Sequence, residues 1–527
     1  MSRNWHAVIL LAVLAALAMV LILYVTGPGM VLTGDSVRYI MGAENMVLGN
    51  GYSRLDGYGN PKPIVGFPPA FPASISLLMF LGIDKLVAPR ILNTFFFCGN
   101  VFLVGWLIFR FSKKQLPAVL GAVAVLGFHR TVEFHSYALS EPGFIFLSLL
   151  SFVLLAEYQR NHTWGRLLLL GLVLGILPLF RYVSLAVLPV ACLLILVFSN
   201  EEWKKRLVKV VVLGVEGILP TLLWFQRNAR LEGTVTNRSL AYHPIPVEKL
   251  VNYRNEVVSW LIPQILQIEW RPRFSHLIIV LAVLTLGYAV FKYRQYKTQA
   301  FEPGHIWSYK LLPIFSLLFM YAYLATVFLS TSFLDASMSA YRRYLLPVYV
   351  YLVIFLLCMF VELISMAKPW RYAGIAGFVL WVFIFGFHLQ FTCDSLEEIR
   401  DVSAYDSWAE GAVEAGEFLR DLDPSTVILT NEIDLVYLLG RNSFLIPIKQ
   451  DNYTQEARDD FDHQLEAFHE KMENGAVLAI FDSFYRREFK YATFEELTEG
   501  LVLVHVSNTA EIFADPEVFP MEGIGEE

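Results

Sequence analysis

Long uninterrupted apolar runs dominate the chain as far as residue 391. The first, residues 7–25, holds 19 residues and no charge. A cleavable signal would have an apolar stretch of roughly 7–15 residues followed by a small-residue cleavage site, so this run reads as a first transmembrane helix. Further spans are expected near 90–109, 117–134, 137–156, 166–180, 182–198, 207–225, 275–291, 311–330, 344–361 and 371–391. Most approach the ~20 residues a helix needs to cross the hydrocarbon core. The runs 117–134 and 166–180 are short or interrupted, and Pro178 and Arg181 break the long stretch 166–198 midway. The expected total is eleven spans. Residues 67–83 are apolar but short, with Pro68, Pro69 and Pro72 near their start, and read as a re-entrant or interfacial segment.

After residue 391 the pattern changes. Helical periodicity over 408–422, an apolar strand at 426–430, helix at 434–439, a strand at 443–448, helix at 457–472 and a strand at 476–481 alternate. Continuous apolar strands between helices predict a small α/β domain with a parallel sheet. The expected fold class is therefore a polytopic α-helical membrane protein, residues 1–391, carrying a C-terminal extracytoplasmic α/β domain, residues 392–527. The tail has no Gly-rich phosphate loop and no nucleophile elbow.

Composition sharpens the division. Hydrophobic residues make up 56% of the 527 positions and charged residues 17%, against roughly 45–50% and about 25% in soluble chains; a soluble enzyme is excluded. From Asp394 onward there are 31 acidic and 9 basic residues, and before it 17 acidic and 32 basic. A basic membrane body thus precedes an acidic domain. The basic residues are scattered through short loops, which argues against nucleic-acid binding. Lys and Arg cluster at Arg3, Arg110/Lys113/Lys114, Arg160/Arg166, Lys204/Lys205/Arg206/Lys209, Lys292/Arg294/Lys297 and Lys368/Arg371. By the positive-inside rule these loops face the cytoplasm, and an odd span count then places the acidic domain outside. The four cysteines, Cys98, Cys192, Cys358 and Cys393, offer neither a disulfide framework nor a zinc site.

This topology limits where chemistry occurs. The predicted cytoplasmic loops are too short for a nucleotide-binding domain, whereas the outer segments, about 26–89, 226–274 and the tail, are long. Nucleotide-activated substrates are normally absent outside the cell, so an energy-rich donor would arrive on a lipid. Asp35 opens an amphipathic segment, 36–48. It suits an N-cap and equally suits a carboxylate that takes a proton from an acceptor hydroxyl. Glu141 starts a span at the outer side, where a carboxylate complements a helix N-terminus or faces the same cavity as Asp35. His129, Glu133 and His135 are near one another but lack metal-ligand spacing. Arg181, Arg227, Arg238, Arg342 and Arg343 mark outer boundaries. A lone arginine there snorkels to headgroups; several converging would suit a phosphate. Glu216 is the one acidic residue deep in a span, a functional candidate or a buried structural acid.

These motifs resemble the GT-C superfamily of integral-membrane glycosyltransferases, on the side of the protein O-mannosyltransferases and aminoarabinose (lipid A) transferases. The resemblance rests on Asp35 and Tyr39 in GDSVRY, PPAFP at 68–72, Ser140-Glu141-Pro142, Arg181-Tyr182, Arg227-Asn228 with Gly233 and Arg238, and Arg343-Tyr344-Leu345-Leu346-Pro347. It covers roughly residues 7–391. It implies that Asp35 is the catalytic base and that Glu141 lines the site. Arg181 and Arg343, with Arg342, Arg227 and Arg238, would hold the phosphate of a polyprenyl-phosphate sugar. The chain departs from the family at Ser36, where many members carry a second acidic residue, and at Phe67, where a lysine often precedes the proline pair.

The reading that follows is an inverting glycosyltransferase of the cell membrane. It would move a hexosyl or pentosyl group from a polyprenyl-phosphate-linked sugar donor to a hydroxyl of a lipid, glycan or protein acceptor at the outer face. No tightly bound cofactor or metal is expected, although Asp35 and Glu141 leave room for a divalent cation. The two carboxylates are expected roughly 10–15 Å apart, to leave space for substrates. The alternatives are a transporter or flippase of a lipid-linked or small anionic substrate, and a sensor presenting the acidic domain. Charge-poor spans without paired broken helices disfavour the transporter.

Overall fold

The structure is a computed structural model that describes residues 2–261, 308–338, 341–403, 413–451 and 453–519, with isolated positions between 276 and 294. Helix α1, Ser2–Val25, is followed by α2, Gly34–Val47. A two-stranded antiparallel ribbon comes next, β1 Ser53–Leu55 with β2 Pro61–Pro63, and then α3, Ala70–Phe80. At 1.5 Å per residue α3 covers about half of the ~30 Å hydrocarbon core, as expected of an interfacial segment.

The membrane body continues with α4 Val87–Ser112, α5 Gln115–Leu126, α6 His129–Ser136, α7 Glu141–Arg160, α8 Trp164–Phe180, α9 Val187–Phe198 and α10 Trp203–Glu232. After α11, Val247–Leu261, come α12 Leu312–Phe333, α13 Tyr341–Ser365 and α14 Trp370–Asp394. Seven helices among the described residues are long and apolar enough to cross a membrane, or eight if the bent pair α5–α6 counts as one span. That pair bends by 53° at Gly127–Phe128, where the sequence suggested one interrupted span over 117–134. The 166–198 run divides as expected, at Arg181, into the shorter helices α8 and α9. The predicted span 275–291 falls mostly outside the described residues.

Apolar side chains from α1, α4, α5, α7, α8, α9, α12 and α13 form one core that includes Leu11, Phe97, Phe144, Phe152, Phe315, Phe319 and Tyr351. Glu216 of α10 packs where Gly171 of α8 leaves no room for a side chain. The outward faces of α1, α10 and α14 expose large apolar residues such as Val20, Val211 and Phe383. In a membrane body that surface meets lipid rather than water.

Beyond α15, Leu396–Ser403, and α16, Val413–Asp421, the tail builds a five-stranded sheet in the order β4-β3-β5-β7-β6. Its strands are β3 Ile428–Thr430, β4 Phe444–Leu445, β5 Val477–Phe481, β6 Val502–Val506 and β7 Ala510–Ala514. Helix α17, Ile433–Leu438, links β3 to β4, α18, Phe461–Glu473, leads into β5, and α19, Phe494–Thr498, precedes β6. β3 pairs in parallel with β4 and β5, but β7 runs antiparallel to both β5 and β6. The three strands expected from the sequence thus pair in parallel, and the two that it did not mark, β6 and β7, form an antiparallel hairpin, since only three residues separate them, too few for the crossover that parallel strands require. Val477, Ala479 and Phe481 pack on one face of the sheet, Leu478 and Ile480 on the other. Coverage of both faces explains why β5 is apolar throughout.

Candidate functional site

The segment leading to α2 and the segment leading to α7 lie side by side. Val31 N donates to Ser136 O at 3.1 Å and Ala138 N donates to Val31 O at 3.1 Å, a short parallel bridge. Asn93 of α4 holds the second segment in place, donating to Tyr137 O at 2.6 Å and to Leu139 O at 3.3 Å. Two loops far apart in sequence are thereby registered, and the helices that follow them start next to each other.

Helix α2 is capped by Thr33. Its Oγ1 accepts from Ser36 N at 3.3 Å, and Ser36 Oγ accepts from Thr33 N at 3.1 Å, a reciprocal capping box. Asp35 is therefore not the cap, and the helix-capping reading of this residue is corrected. Ser36 is engaged in the cap and fully buried. The Asp35 side chain is released from capping and remains 30% exposed.

Arg343, near the start of α13, reaches both carboxylates. Its Nη1 lies 2.6 Å from Asp35 Oδ2, and its Nε donates to Glu141 Oε1. Arg181, at the break between α8 and α9, pairs with the same Glu141 oxygen. Glu141 is 1% exposed and its Oε2 has no hydrogen-bond partner. The Tyr344 ring lies beneath both guanidiniums, 5.4 Å from Arg181 and 6.0 Å from Arg343. Asp35, Glu141, Arg181 and Arg343 thus meet at one point. The carboxylates are closer than the separation expected from the sequence, because one guanidinium between them cancels the repulsion that would hold them apart. Burial pushes the Asp35 carboxyl up, but the Arg343 charge and hydrogen bond outweigh it and hold the pKa below the usual carboxylate range.

Tyr39, one turn beyond Asp35, is buried, with its hydroxyl 3.5 Å from Ser140 Oγ. Phe67 and Phe71 pack edge-on against it at 5.6 and 5.4 Å. Phe67 also lies 5.6 Å under the Arg38 guanidinium.

The other three arginines are not brought to this point. Arg342 faces Glu256 at 3.9 Å, in a second polar cluster where Arg130 pairs with Glu133 at 2.6 Å and approaches Glu256 at 3.8 Å. Arg227 donates to the Tyr52 and Ile64 carbonyls, each at 3.2 Å. Arg238 donates to Gly66 O at 3.2 Å, pairs with Asp335 at 3.2 Å, and lies 4.8 Å over the Tyr453 ring. Asn228 assists by donating to Val65 O and Val235 O. Gly233, at φ +69°, closes α10 in the left-handed region that turns the chain toward Arg238. Arg227, Asn228 and Arg238 consequently clamp the backbone of the first long loop, a task that the sequence pattern of isolated boundary arginines does not reveal. His135 turns inward to Asn100 and to Thr131 O, away from Glu133. No group of three metal-ligating side chains occurs among the described residues.

The C-terminal domain closes over the first long loop. Tyr437 donates to Glu44, which also pairs with Lys85 at 3.0 Å. Asp434 approaches Arg38 at 3.8 Å, and Ala336 N donates to Tyr453 O at 2.8 Å. The missed residues of the site are therefore Tyr344, Arg38 and Asp434. Tyr344 adjoins a singled-out arginine, whereas nothing in the local pattern of the tail marks Asp434.

A bundle of apolar helices carries a small α/β domain, with a polar cluster near the junction of the two. Residues 61–225 match the family model of the dolichyl-phosphate-mannose-protein mannosyltransferases. The fold is similar to that of ArnT from Cupriavidus metallidurans bound to undecaprenyl phosphate, with a TM-score of 0.55 at 10% identity over 100% of both chains. It is also similar to ArnT from the same organism in the apo state, with a TM-score of 0.54 at 12% identity over 95% of this chain and 97% of the other. No curated protein matches the chain. Family model and fold together support the GT-C resemblance read from the motifs.

Proposed function

We propose that the protein is an inverting glycosyltransferase that moves a sugar from a polyprenyl-phosphate-linked donor to an acceptor hydroxyl at the outer face of the membrane. Residues 1–391 form the catalytic body and 392–527 an extracytoplasmic domain. Asp35 takes the proton of the acceptor hydroxyl as its oxygen attacks the anomeric carbon. The C–O bond to phosphate breaks on the opposite side, and the departing polyprenyl phosphate takes the bonding electrons. Arg181 and Arg343 stabilise that developing negative charge, while Glu141 holds the two guanidiniums together.

The observation that carries this reading is the sharing of Arg343 between Asp35 and Glu141, with Arg181 on the same carboxylate. An inverting displacement needs a base and leaving-group stabilisation in one site, and no covalent enzyme intermediate. Guanidiniums pair with phosphate as they do with carboxylate, so the donor phosphate can engage Arg181 and Arg343 beside an Asp35 that Arg343 keeps ionised. The polyprenyl-phosphate donor is further supported by the structural likeness to a protein solved with undecaprenyl phosphate.

The test is comparative mass spectrometry of lipids and glycans from cells with and without the gene, followed by purified protein given the implicated lipid-linked sugar. Loss of one glycoconjugate, with inversion of the anomeric centre in vitro, is expected. Retention of configuration, or unchanged glycoconjugates with altered lipid-sugar distribution across the membrane, would refute it.

A further inference from the structure

Between α2, the β1–β2 ribbon and the C-terminal domain lies a cavity of about 100 Å³, lined by Arg38, Arg54, Asp434, Ser443, Tyr437 and Phe444 among others. It adjoins the Asp35 centre. Asp434 Oδ2 sits so close to Gly34, the residue before Asp35, that a Cβ there would lie 2.8 Å away. Arg38 stands one turn further along the same helix as Asp35.

Several charged groups on the cavity wall are already committed. Arg441 donates to the carbonyls of Leu419, Leu422, Asp423 and Thr426. Asp56 Oδ1 accepts from Tyr58 N and Asn60 N in its own turn. Others are not. Asp434 is 7% exposed, yet its Oδ1 has no hydrogen-bond partner among the described residues, with the Arg38 guanidinium 3.8 Å away and the Arg54 charge nearby. Ser443 Oγ is likewise buried and unpartnered. No hydrogen bond or ion pair reaches the Arg54 guanidinium among the described residues. An unsatisfied buried carboxylate costs stability unless something donates to it, and here the open donors and acceptors face one space.

We infer that this cavity is a carbohydrate subsite for the acceptor, built jointly by the first long loop and the C-terminal domain. A sugar hydroxyl both donates and accepts. It can give its proton to Asp434 and take a hydrogen bond from Arg54 or Arg38, with Ser443 serving in either role. A fully deprotonated anion could only accept and would face Asp434, while a hydrogen phosphate would bring its charge against that carboxylate; a cation would face two guanidiniums. The volume admits the hydroxyl-bearing edge of one ring, and Phe444, with Tyr58 edge-on at 4.8 Å, supplies an apolar wall for its C–H face. A glycan held there presents another hydroxyl toward Asp35. The inference rests on Asp35 as the base and names the acceptor as glycan-bearing.

The test uses the full-length protein in lipid nanodiscs, probed by saturation-transfer NMR with methyl glycosides of glucose, galactose, mannose and N-acetylglucosamine, and with inorganic phosphate. At least one glycoside should bind saturably at millimolar concentration. Asp434→Asn and the exposed-site change Arg54→Ala should each weaken it by about tenfold, the effect of one charge-assisted hydrogen bond. Absence of glycoside binding, binding indifferent to both variants, or phosphate binding that Arg54→Ala abolishes would each overturn the assignment. Polyprenyl phosphate binding is measured on the same preparations. Its failure would count against the donor reading alone, and its persistence beside glycoside failure against this inference alone.

Discussion

Replacing Arg343 by glutamine should move the acid limb of the pH–rate profile upward. In the wild type, Arg343 Nη1 sits 2.6 Å from Asp35 Oδ2 with only 13% of its side chain exposed, and the carboxyl is held below the ordinary carboxylate range. A base acts while ionised, so activity is present above its pKa and is lost as pH falls through it. An adjacent guanidinium favours the charged carboxylate, and its removal lets burial raise the Asp35 carboxyl. Arg38 and Arg181 keep their influence, so the limb moves upward by less than burial alone would set. Turnover at neutral pH should fall about 10²-fold or more, as for loss of one donor to a developing oxyanion. Stability should fall by less than the ~3–5 kcal/mol typical of an uncompensated buried charge, because Glu141 retains Arg181. The assay is the initial rate of sugar transfer from a polyprenyl-phosphate-linked donor across acid to neutral pH, with gel filtration to verify folding. An acid limb that stays in place in a well-folded variant would refute the coupling of Arg343 to the base.

Asp35→Asn should abolish transfer while binding of polyprenyl phosphate stays within about threefold; parallel loss of both would assign Asp35 to donor binding. Gly34→Val should lower the thermal midpoint through a clash with Asp434, at about 1–3 kcal/mol for an overpacked contact, and Asp434→Ala in the same chain should recover it. If the double variant is no more stable than Gly34→Val alone, the close approach is not what limits that position. A reporter fused after residue 392 should be active only outside the cytoplasm; a cytoplasmic signal would overturn the odd span count. Chelator-washed protein should contain no stoichiometric divalent metal by elemental analysis, and a tightly retained metal would reopen the roles of Asp35 and Glu141.

Much of the architecture was legible along the chain because its determinants are local. Nineteen uncharged residues at 7–25 can satisfy their backbone in hydrocarbon only as a helix. The break at Arg181 follows from a proline and a charge in one apolar run. The alternation beyond residue 408 announced β3, β4, β5 and the helices between them, yet it did not mark the β6–β7 hairpin, whose place beside β5 is set by the docking of one strand edge on another. The sequence also singled out Asp35, Glu141, Arg181 and Arg343, since chemically capable residues at span ends stand out against an apolar background. It could not separate them from Arg342, Arg227 and Arg238, which have the same residue type and the same kind of position. Only the packing decides that Arg343 bridges two carboxylates while Arg227 and Arg238 hold backbone carbonyls of the first loop. The same holds for Asp35, whose capping role passes to Thr33 once the reciprocal bonds with Ser36 form. Asp434 is the extreme case: one acid among the 31 from Asp394 onward, it gains its place beside Gly34 and Arg38 from the docking of the C-terminal domain. Spans and strands arise from interactions within a few turns of chain, whereas this site of charges is set by contacts across 40 to 400 residues.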